Sequence, residues 1–373
     1  MLFLLLISLF TVLAYLLLMF IFIYGWMRNP SFEKIEHDYD TKCTIIIPAR
    51  NESGKIENIL SDIIQQDYPR HLYEIIVVND HSEDNTAHIV SFFQQGNHIS
   101  LINLDNEKKG KKQALSEGIR LSNGELILTL DADCRVNKKW LSTMVAFFKQ
   151  NGSTLMVGPV DYRTSKGFWN QIQNLEFLSL VGTSACAIFN NQPFLCNGAN
   201  LAYRKKTFQQ FDDPFNHNAS SGDDVFFMYN IKNLPESTIH FVKHSDAIVY
   251  TSGVESFKQF ISQRLRWSSK SKLITDTDSL VFITIISVTN LLILGLFLLS
   301  IVFIKALFLF AGVFFIKYVI DRMFFKQILP FFGKEKLTKY ILLTDLLYFI
   351  YYTILFFLTV FVKPSWKGRK VKV

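Results

Sequence analysis

The chain has 373 residues and a formal net charge of +7, and 15% of its residues are aromatic, including 36 phenylalanines. From Lys305 onward twelve Lys and Arg residues stand against three acidic ones, whereas the rest of the chain has 27 against 29. A nucleic-acid-binding protein would carry the basic surplus on its folded domain, so this distribution argues against nucleic acid and predicts contact with membrane lipids. Apolar terminal segments leave one soluble domain of about 250 residues.

The chain begins with an uninterrupted apolar and aromatic run from Leu2 to Tyr24, long enough for the ~20 residues of a spanning helix. The run has no basic residues before it, is longer than the apolar part of a signal peptide and is not followed by a small-x-small cleavage site. We therefore predict a transmembrane helix over 1–26 rather than a cleaved signal peptide. Arg28 follows, and the positive-inside rule then predicts a multi-pass protein of the cytoplasmic membrane whose catalytic domain faces the cytoplasm.

Apolar runs alternate with amphipathic stretches through the predicted soluble domain, residues 41–270. The predicted strands are 43–48, 74–79, 98–104 and 126–130, and the predicted helices between them are 53–66, 83–93 and 112–121. Continuous apolar strands that alternate with helices indicate an α/β fold with a mostly parallel sheet covered on both faces. Ligands of such sheets bind beyond the carboxyl ends of the strands, so the residues that follow these strands are predicted to share one site.

Carboxylates follow two of the predicted strands. Asp80 lies in an Asn-Asp-His-Ser turn, where it and Ser82 either cap the next helix or Asp80 binds the base or ribose of a nucleotide. Asp131 and Asp133 follow the most apolar strand, and two carboxylates at this spacing suit a hard cation that bridges to a diphosphate, although Asp-x-Asp also occurs in simple turns. The sequence therefore predicts Mg²⁺ or Mn²⁺ on Asp133, with Asp131.

Two further motifs stand at predicted helix starts. Gly110 and Lys111 open a predicted helix and are suited to bind an anion at its N-terminus, whereas the preceding Lys108 and Lys109 are equally consistent with a solvated basic turn. Asp223 and Asp224 precede an apolar helix, either as its cap or as a general base whose pKa a metal or a neighbouring group sets.

The string Gln263-Arg264-Leu265-Arg266-Trp267 is the most specific motif and stands shortly before the next apolar run. Arg and Trp at this place are typical of a membrane-interface anchor. The alternative is that Arg266 neutralises a leaving diphosphate while Trp267 forms an apolar wall of an acceptor site.

The C-terminal membrane region, 279–363, is predicted to hold two to three spans. The apolar runs are 280–304, 306–320 and 340–362, and the mixed segment 324–339 is predicted to lie at the interface. Three crossings would place the basic tail, 364–373, outside the cell, against the positive-inside rule. Either 306–320 enters the membrane without crossing it, or the rule fails here.

Cysteine usage is low. Cys43, Cys134, Cys186 and Cys196 form no Cys-x-x-Cys pair and have no zinc-ligand spacing. We predict that they are reduced in a cytosol-facing domain.

In their order, these motifs resemble those of a membrane-integrated inverting glycosyltransferase of family 2, similar to bacterial polysaccharide synthases and ceramide glucosyltransferases. The resemblance covers about 41–270 and implies a GT-A fold, a nucleotide-sugar donor and a divalent metal. The implied donor contacts are Pro48, Arg50, Glu52, Asp80, Lys111, Asp131 and Arg266, the implied base is Asp224, and the implied acceptor contacts are Gly198, Gln263 and Trp267. Asn79 and Asp223 depart from the family pattern, which often has Asp and Glu at these places.

Two classes of function are consistent with this pattern. The first is inverting transfer of a sugar from a UDP-sugar to a lipid acceptor at the cytoplasmic membrane face. A growing polysaccharide is the alternative acceptor, because Gln-x-x-Arg-Trp occurs in processive synthases, but the few C-terminal spans offer little material for a polymer channel. The second is a catalytically silent membrane scaffold with the same fold, which is expected to have lost a motif, whereas all motifs are present here.

Overall fold

The computed structural model describes residues 2–33, 40–163, 167–217, 221–362, 365–366 and 369–370. The predicted tail, 364–373, therefore lies largely outside the described residues. The first elements are α1 (Leu2–Arg28), β1 (Cys43–Ala49), α2 (Ile56–Ile64), β2 (Tyr73–Asn79), α3 (Thr86–Gln94), β3 (Ile99–Asn103), α4 (Lys111–Leu121), β4 (Leu126–Thr129), α5 (Trp140–Asn151), β5 (Leu155–Val157) and β6 (Val160–Tyr162). They are followed by α6 (Phe168–Phe189), β7 (Leu201–Arg204), α7 (Lys205–Phe208), α8 (Asp223–Lys232), β8 (Ile239–Phe241), β9 (Val249–Thr251), α9 (Phe257–Ser268), α10 (Thr277–Ser300), α11 (Ile304–Ile328) and α12 (Ile341–Phe361).

Seven strands form the central sheet in the order β3-β2-β1-β4-β7-β5-β8. β1 is parallel to β2 and β4, β2 is parallel to β3, and β7 runs antiparallel to β4 and β5. Ile45, Ile46 and Ile47 of the central strand are fully buried, as expected for a strand covered on both faces. The prediction of an α/β fold with a mostly parallel sheet is confirmed.

Helix α1 is docked on the soluble domain. Lys243, which is buried, donates from Nζ to the carbonyl of Trp26 (2.8 Å), and its ammonium lies 4.1 Å from the centre of the Trp26 ring. A Cβ on Gly25 would lie 2.3 Å from Nδ2 of Asn190, at the end of α6. This close approach requires glycine, and these contacts fix the direction in which the helix leaves the domain.

Four of the described helices are long and apolar enough to cross a membrane: Leu2–Arg28, Phe168–Phe189, Thr277–Ser300 and Glu335–Phe361. Phe168–Phe189, which is α6, differs from the others because 72% of its most apolar window is buried inside the protein, against about a third or less in the rest. Its apolar side chains complete the core of the soluble domain. The apolar helices near the two termini are the ones whose surfaces are free to face lipid.

Helix α11 differs from the predicted pattern. It joins the predicted short span, 306–320, and the start of the predicted interfacial segment, 324–339, into one helix of 25 residues. Charged residues in the middle of this helix are buried and paired: Lys317 forms an ion pair with Asp321 one turn later, and its Nζ lies 3.5 Å from Asp345 of α12. Neutralised in this way, the charged residues continue the helix instead of ending it.

Candidate active site

The loops that follow β1 and β2 are bonded to each other. The N–H of Asn51 donates to Oγ of Ser82 (3.0 Å), and the N–H of Glu83 donates to Oδ1 of Asn51 (2.8 Å). Arg50 reaches across and donates from Nη1 to the carbonyl of Asp80 (3.1 Å), whose side chain is buried. The cross-links place the predicted nucleotide contacts of the two loops side by side.

The turn before α3 is formed by a residue that sequence reasoning did not select. Asp84 accepts hydrogen bonds from the N–H of Thr86 (3.0 Å) and from the N–H of Ser53 (3.0 Å). The Asp80 carboxylate faces Nδ1 of His81 instead (3.1 Å). Asp84 therefore supports the start of the helix, and Asp80 does not need to serve as its cap.

Asp131 and Asp133 project from the end of β4 as predicted. Oδ1 of Asp131 lies 2.6 Å from Nζ of Lys111, and Oδ2 of Asp133 lies 3.7 Å from Nζ of Lys55 and accepts a hydrogen bond from Thr251 (3.3 Å). Burial, and then the charge of Asp131, raise the pKa of Asp133. Among the described residues no group of three or more His, Cys, Asp or Glu side chains is arranged to hold a metal. The two mutually repelling carboxylates nevertheless fit one side of a hard divalent cation that takes its other ligands from diphosphate and water.

Asp224 lies in the first turn of α8, where the helix dipole favours a carboxylate. Its Oδ2 accepts a hydrogen bond from the N–H of Gly198 (3.1 Å), and its Oδ1 accepts from Nζ of Lys270 (2.9 Å) and from the N–H of Val225 (2.9 Å). Burial raises the pKa of Asp224, but the charges of Lys270 and then Lys111 outweigh it and lower the pKa to about 2. The carboxylate is therefore ionised at physiological pH.

The start of α8 is crowded around Gly198. A Cβ there would lie 3.2 Å from Oδ2 of Asp223, 3.3 Å from Cβ of Asp224 and 3.5 Å from Nζ of Lys111, so any side chain would have to displace charged neighbours. The cap position of the helix is Gly222, in the left-handed region at φ 91°, and no side chain caps the helix. The structure therefore does not support the interpretation that the two aspartates are caps.

The other end of α8 is fixed to the first turn of a membrane-region helix. Nζ of Lys232 lies 2.7 Å from Asp276 and 2.8 Å from Asp278, which flank the start of α10. The hydroxyl of Tyr229 donates to Oγ of Ser279 (2.9 Å). These contacts fix the position of α8, and with it Asp224, relative to the start of α10.

Helix α9 carries the Gln-x-x-Arg-Trp motif. Arg264 forms a buried ion pair with Glu176 of α6, with Nε 3.0 and 3.1 Å from the two carboxylate oxygens, and its guanidinium lies 4.4 Å from the centre of the Trp267 ring. Gln263 accepts a hydrogen bond from Arg264. Arg266 points elsewhere and has no described carboxylate within 4.0 Å, and burial lowers its pKa.

One cavity of about 780 Å³, here called the chamber, joins these groups. Its lining includes all twelve predicted site residues: Pro48, Arg50, Glu52, Asp80, Lys111, Asp131, Asp133, Gly198, Asp224, Gln263, Arg266 and Trp267. The opposite end of the chamber is lined by side chains of α10 and α12, namely Ile283, Ile286, Tyr348, Tyr351, Tyr352, Leu355, Phe356 and Val360. The chamber thus has a charged end at the sheet and an apolar end between helices of the membrane region.

Residues 44–211 match the family model described as glycosyl transferase family 2. The match covers a little under half of the chain. Over 150 residues it is 31% identical to a poly-β-1,6-N-acetyl-D-glucosamine synthase of Staphylococcus epidermidis, covering 40% of this chain and 36% of that protein. Over 124 residues it is 32% identical to the glycosyltransferase AglE of Haloferax volcanii, covering 33% of this chain and 41% of that protein. The chain thus spans well under half the length of these relatives.

The fold is also that of solved glycosyltransferases. The mannosyltransferase PcManGT from Pyrobaculum calidifontis, in complex with GDP-Man and Mn²⁺, matches 92% of this chain and 98% of its own with a TM-score of 0.56 at 17% identity. This similarity confirms the predicted GT-A-like architecture.

Several residues of the chamber were missed by sequence reasoning. Glu176 pairs with Arg264, which belongs to the Gln263–Trp267 string. Lys55 pairs with Asp133 and Lys270 pairs with Asp224, and Tyr351 forms part of the far wall. Glu176 is a lone carboxylate within an apolar helix, which is a usable signal. Lys55 and Lys270 lie in polar surroundings that resemble ordinary surface sequence.

The buried pair between Arg264 and Glu176 predicts a large loss of stability when only one partner is removed. We expect Glu176→Ala to lower the free energy of unfolding by about 3–5 kcal/mol, because it leaves a buried guanidinium without a carboxylate to balance its charge. Thermal unfolding of the detergent-purified chain measures this. The matched control is Arg120→Ala, which removes an exposed pair with Glu117 and should cost at most about 1 kcal/mol. Equal losses in the two variants would show that the buried pair is not critical.

Proposed function

We propose that the protein is a membrane-bound inverting glycosyltransferase that transfers a sugar from a UDP-sugar to a lipid acceptor at the cytoplasmic face of the cell membrane. The observation that carries this proposal is the continuity of the chamber. Its charged end suits a nucleotide diphosphate, its apolar end suits a hydrocarbon chain, and Asp224 lies in its wall.

The donor end contains one cation that is available for a new anion. Among the described cations of the chamber, Arg266 alone has no carboxylate within 4.0 Å, so its charge is not already neutralised by a side-chain ion pair. Arginine binds phosphate oxygens through two parallel hydrogen bonds, which favours the diphosphate as its partner. Asp131 and Asp133 would hold Mg²⁺ or Mn²⁺, and the bound metal would offset charge on the diphosphate leaving group. Arg50 and Asp80 would then contact the nucleoside.

The position of Asp224 suits the role of general base. Inverting transfer requires a carboxylate that takes the proton of the acceptor hydroxyl while the hydroxyl oxygen attacks the sugar carbon opposite the leaving diphosphate. Asp224 is ionised and half-buried, with 13% of its side chain exposed, and it is fixed by Gly198 on one side and through α8 to α10 on the other. These constraints support its role as the general base.

The acceptor end is built from the membrane region. Leu355 and Ile286 line the chamber, whereas Leu280, Leu298 and Phe357 on the same two helices are exposed with 44%, 54% and 52% of their surface accessible. Exposed apolar faces of this kind suit a lipid environment. A lipid could therefore place its tail between α10 and α12 while its hydroxyl reaches Asp224.

Arg266→Ala and Trp267→Ala are expected to differ. Loss of Arg266 should slow turnover for every acceptor, water included, because the diphosphate loses its free cation. Loss of Trp267 should spare slow donor hydrolysis and depress transfer to the lipid, because Trp267 forms the acceptor wall. Hydrolysis and transfer are measured separately on purified variants. If both variants were merely depleted from the membrane with normal specific activity, the motif would be an interface anchor.

The proposal is tested by incubating membranes that contain the protein with a set of radiolabelled UDP-sugars and partitioning the product between organic solvent and water. A lipid product carries the label into the organic phase. A water-soluble product of high molecular mass would instead support a polysaccharide synthase, the candidate favoured by the similarity to poly-β-1,6-N-acetyl-D-glucosamine synthase. Absence of both transfer and donor hydrolysis would support a silent scaffold.

A further inference from the structure

The carboxylate assigned as the base accepts three hydrogen bonds from the protein. Both oxygens of Asp224 accept hydrogen bonds from the protein, Oδ2 from the N–H of Gly198 and Oδ1 from Lys270 and the N–H of Val225. A general base must present an oxygen to the hydroxyl whose proton it takes. An ionised carboxylate has about four lone-pair sites, so Oδ1 is fully used by its two donors while Oδ2 keeps one site. Of these three contacts, the one with Lys270 is made by a side chain and the other two by backbone N–H groups, so it is the contact that can change while the backbone stays in place.

Lys270 is placed so that it can leave Asp224 without a backbone movement. It lies in the short 3₁₀ turn Ser269–Leu273, directly after the helix that carries Arg266, and it lines the chamber. A Cβ on Gly222 would lie 3.3 Å from Cδ of Lys270, so the lysine stem passes close to the backbone of a glycine. A lysine ammonium is a compact charge on a flexible stem, and phosphate oxygens are among its common partners.

We propose that Lys270 is a positioning residue that restrains Asp224 through this ion pair and exchanges the pair for a phosphate oxyanion of the bound substrate. The proposal rests on the proposed function, since it needs a substrate phosphate in the chamber. The phosphate belongs either to the nucleotide diphosphate or to a lipid acceptor that carries one. In both cases the exchange frees an acceptor site on Oδ1 of Asp224 and takes a positive charge away from the carboxylate, so Asp224 is a stronger base when substrate is bound.

Other charged and titratable groups also act on Asp224. Those that interact with it electrostatically, besides Lys270, are Lys111 and Lys112 of α4, Arg266 of α9, Cys196 before β7, and Tyr229 and Asp223 of its own helix. Lys270 is the largest favourable influence on the pKa of the half-buried carboxyl, and Lys111 follows. Burial raises the pKa of Asp224 and Lys270 lowers it. Without Lys270 the pKa of Asp224 should therefore rise towards the pH range in which enzymes are usually assayed.

The test compares Lys270→Met and Lys270→Arg with Lys258→Met, which removes an exposed lysine of α9 as a control. All are full-length chains purified in detergent. We measure UDP affinity with Mn²⁺ present, the KM for lipid acceptor, and the pH profile of transfer between pH 5 and 8. Lys270→Met should either lower the UDP affinity or raise the acceptor KM by about 10-fold, the scale of a lost charged hydrogen bond. It should also add an acidic limb along which the rate falls by about 10-fold per pH unit.

The outcomes separate the sources of the phosphate. Weaker UDP binding assigns Lys270 to the donor diphosphate, and a raised acceptor KM with normal UDP binding assigns it to a lipid phosphate. Lys270→Arg should restore affinity and the flat profile of the wild type, because it keeps the charge. If Lys270→Met is not recovered from membranes, Lys270→Gln takes its place in the same measurements.

Unchanged affinity for both substrates together with a flat pH profile in the charge-removing variant would overturn the proposal while leaving the proposed function intact. A wild-type chain that neither binds UDP nor turns over a nucleotide sugar would reject the proposed function, and the role of Lys270 with it.

Discussion

Asp224→Asn should reduce sugar transfer by about 10²-fold or more while leaving UDP affinity nearly unchanged. The amide keeps the shape of the side chain but cannot take a proton, and loss of a general base typically costs a factor of this size. Transfer is measured with purified variant and wild type, and UDP affinity is measured on the same preparations.

The control for this variant is Asp105→Asn, since the Asp105 side chain is 79% exposed and lies away from the chamber lining. It should behave as wild type. Collapse of UDP affinity in Asp224→Asn, with transfer falling only in proportion, would make Asp224 a donor-binding residue, and the base would have to be another group.

Asp133→Ala should abolish the metal-dependent part of donor binding while the chain stays folded and inserted. Asp133 lies at the end of a strand, and its side-chain contacts include the ion pair with Lys55, the hydrogen bond from Thr251 and a long contact from Sγ of Cys134 (4.0 Å). These contacts are polar, so removal of the side chain takes little from the apolar core. UDP affinity is measured with Mn²⁺ and with EDTA. Wild type should lose affinity in EDTA, and the variant should show the low value under both conditions.

Thermal unfolding of Asp133→Ala serves as the folding control and should match that of wild type closely. Full transfer activity of the wild type in EDTA would remove the divalent metal from the mechanism, and the paired carboxylates would then need another role.

The sequence predicted the first half of the sheet better than the second. Strands β1 to β4 are apolar runs bounded by turn residues, and each lies within one residue of its predicted limits. Strands β5, β6, β8 and β9 have three residues each, too few for a periodic pattern to be read. Their positions depend on pairing with strands that are distant in the chain, which a local pattern does not encode.

The helical regions show the same limit of local patterns. Helix α6 is apolar because it is enclosed by protein, and hydropathy does not distinguish this from exposure to lipid. Helix α11 contains charged residues whose partners the sequence does not indicate. One of these partners, Asp345 of the next helix, pairs with Lys317. Composition therefore indicated which parts of the chain form long apolar helices but not where each helix begins and ends.

The candidate site was accessible from sequence because strand ends and short motifs supply most of its residues. The twelve predicted residues share one chamber, although their individual roles stay predictions. Glu176 and Lys270 were missed because their importance comes from pairing with Arg264 and Asp224, which lie 88 and 46 positions away. Pairing over such distances becomes visible only when the chain is folded.

The central claim is that one chamber delivers a sugar from a nucleotide donor to a lipid. The most direct measurement reconstitutes the purified chain in vesicles with lipid extract and a radiolabelled UDP-sugar that it accepts, and follows UDP release and label in the organic phase together. We predict that the two rise in equal amounts in the wild type and that both fall in Asp224→Asn. UDP release without organic-phase label, or label confined to a water-soluble polymer, would contradict the account.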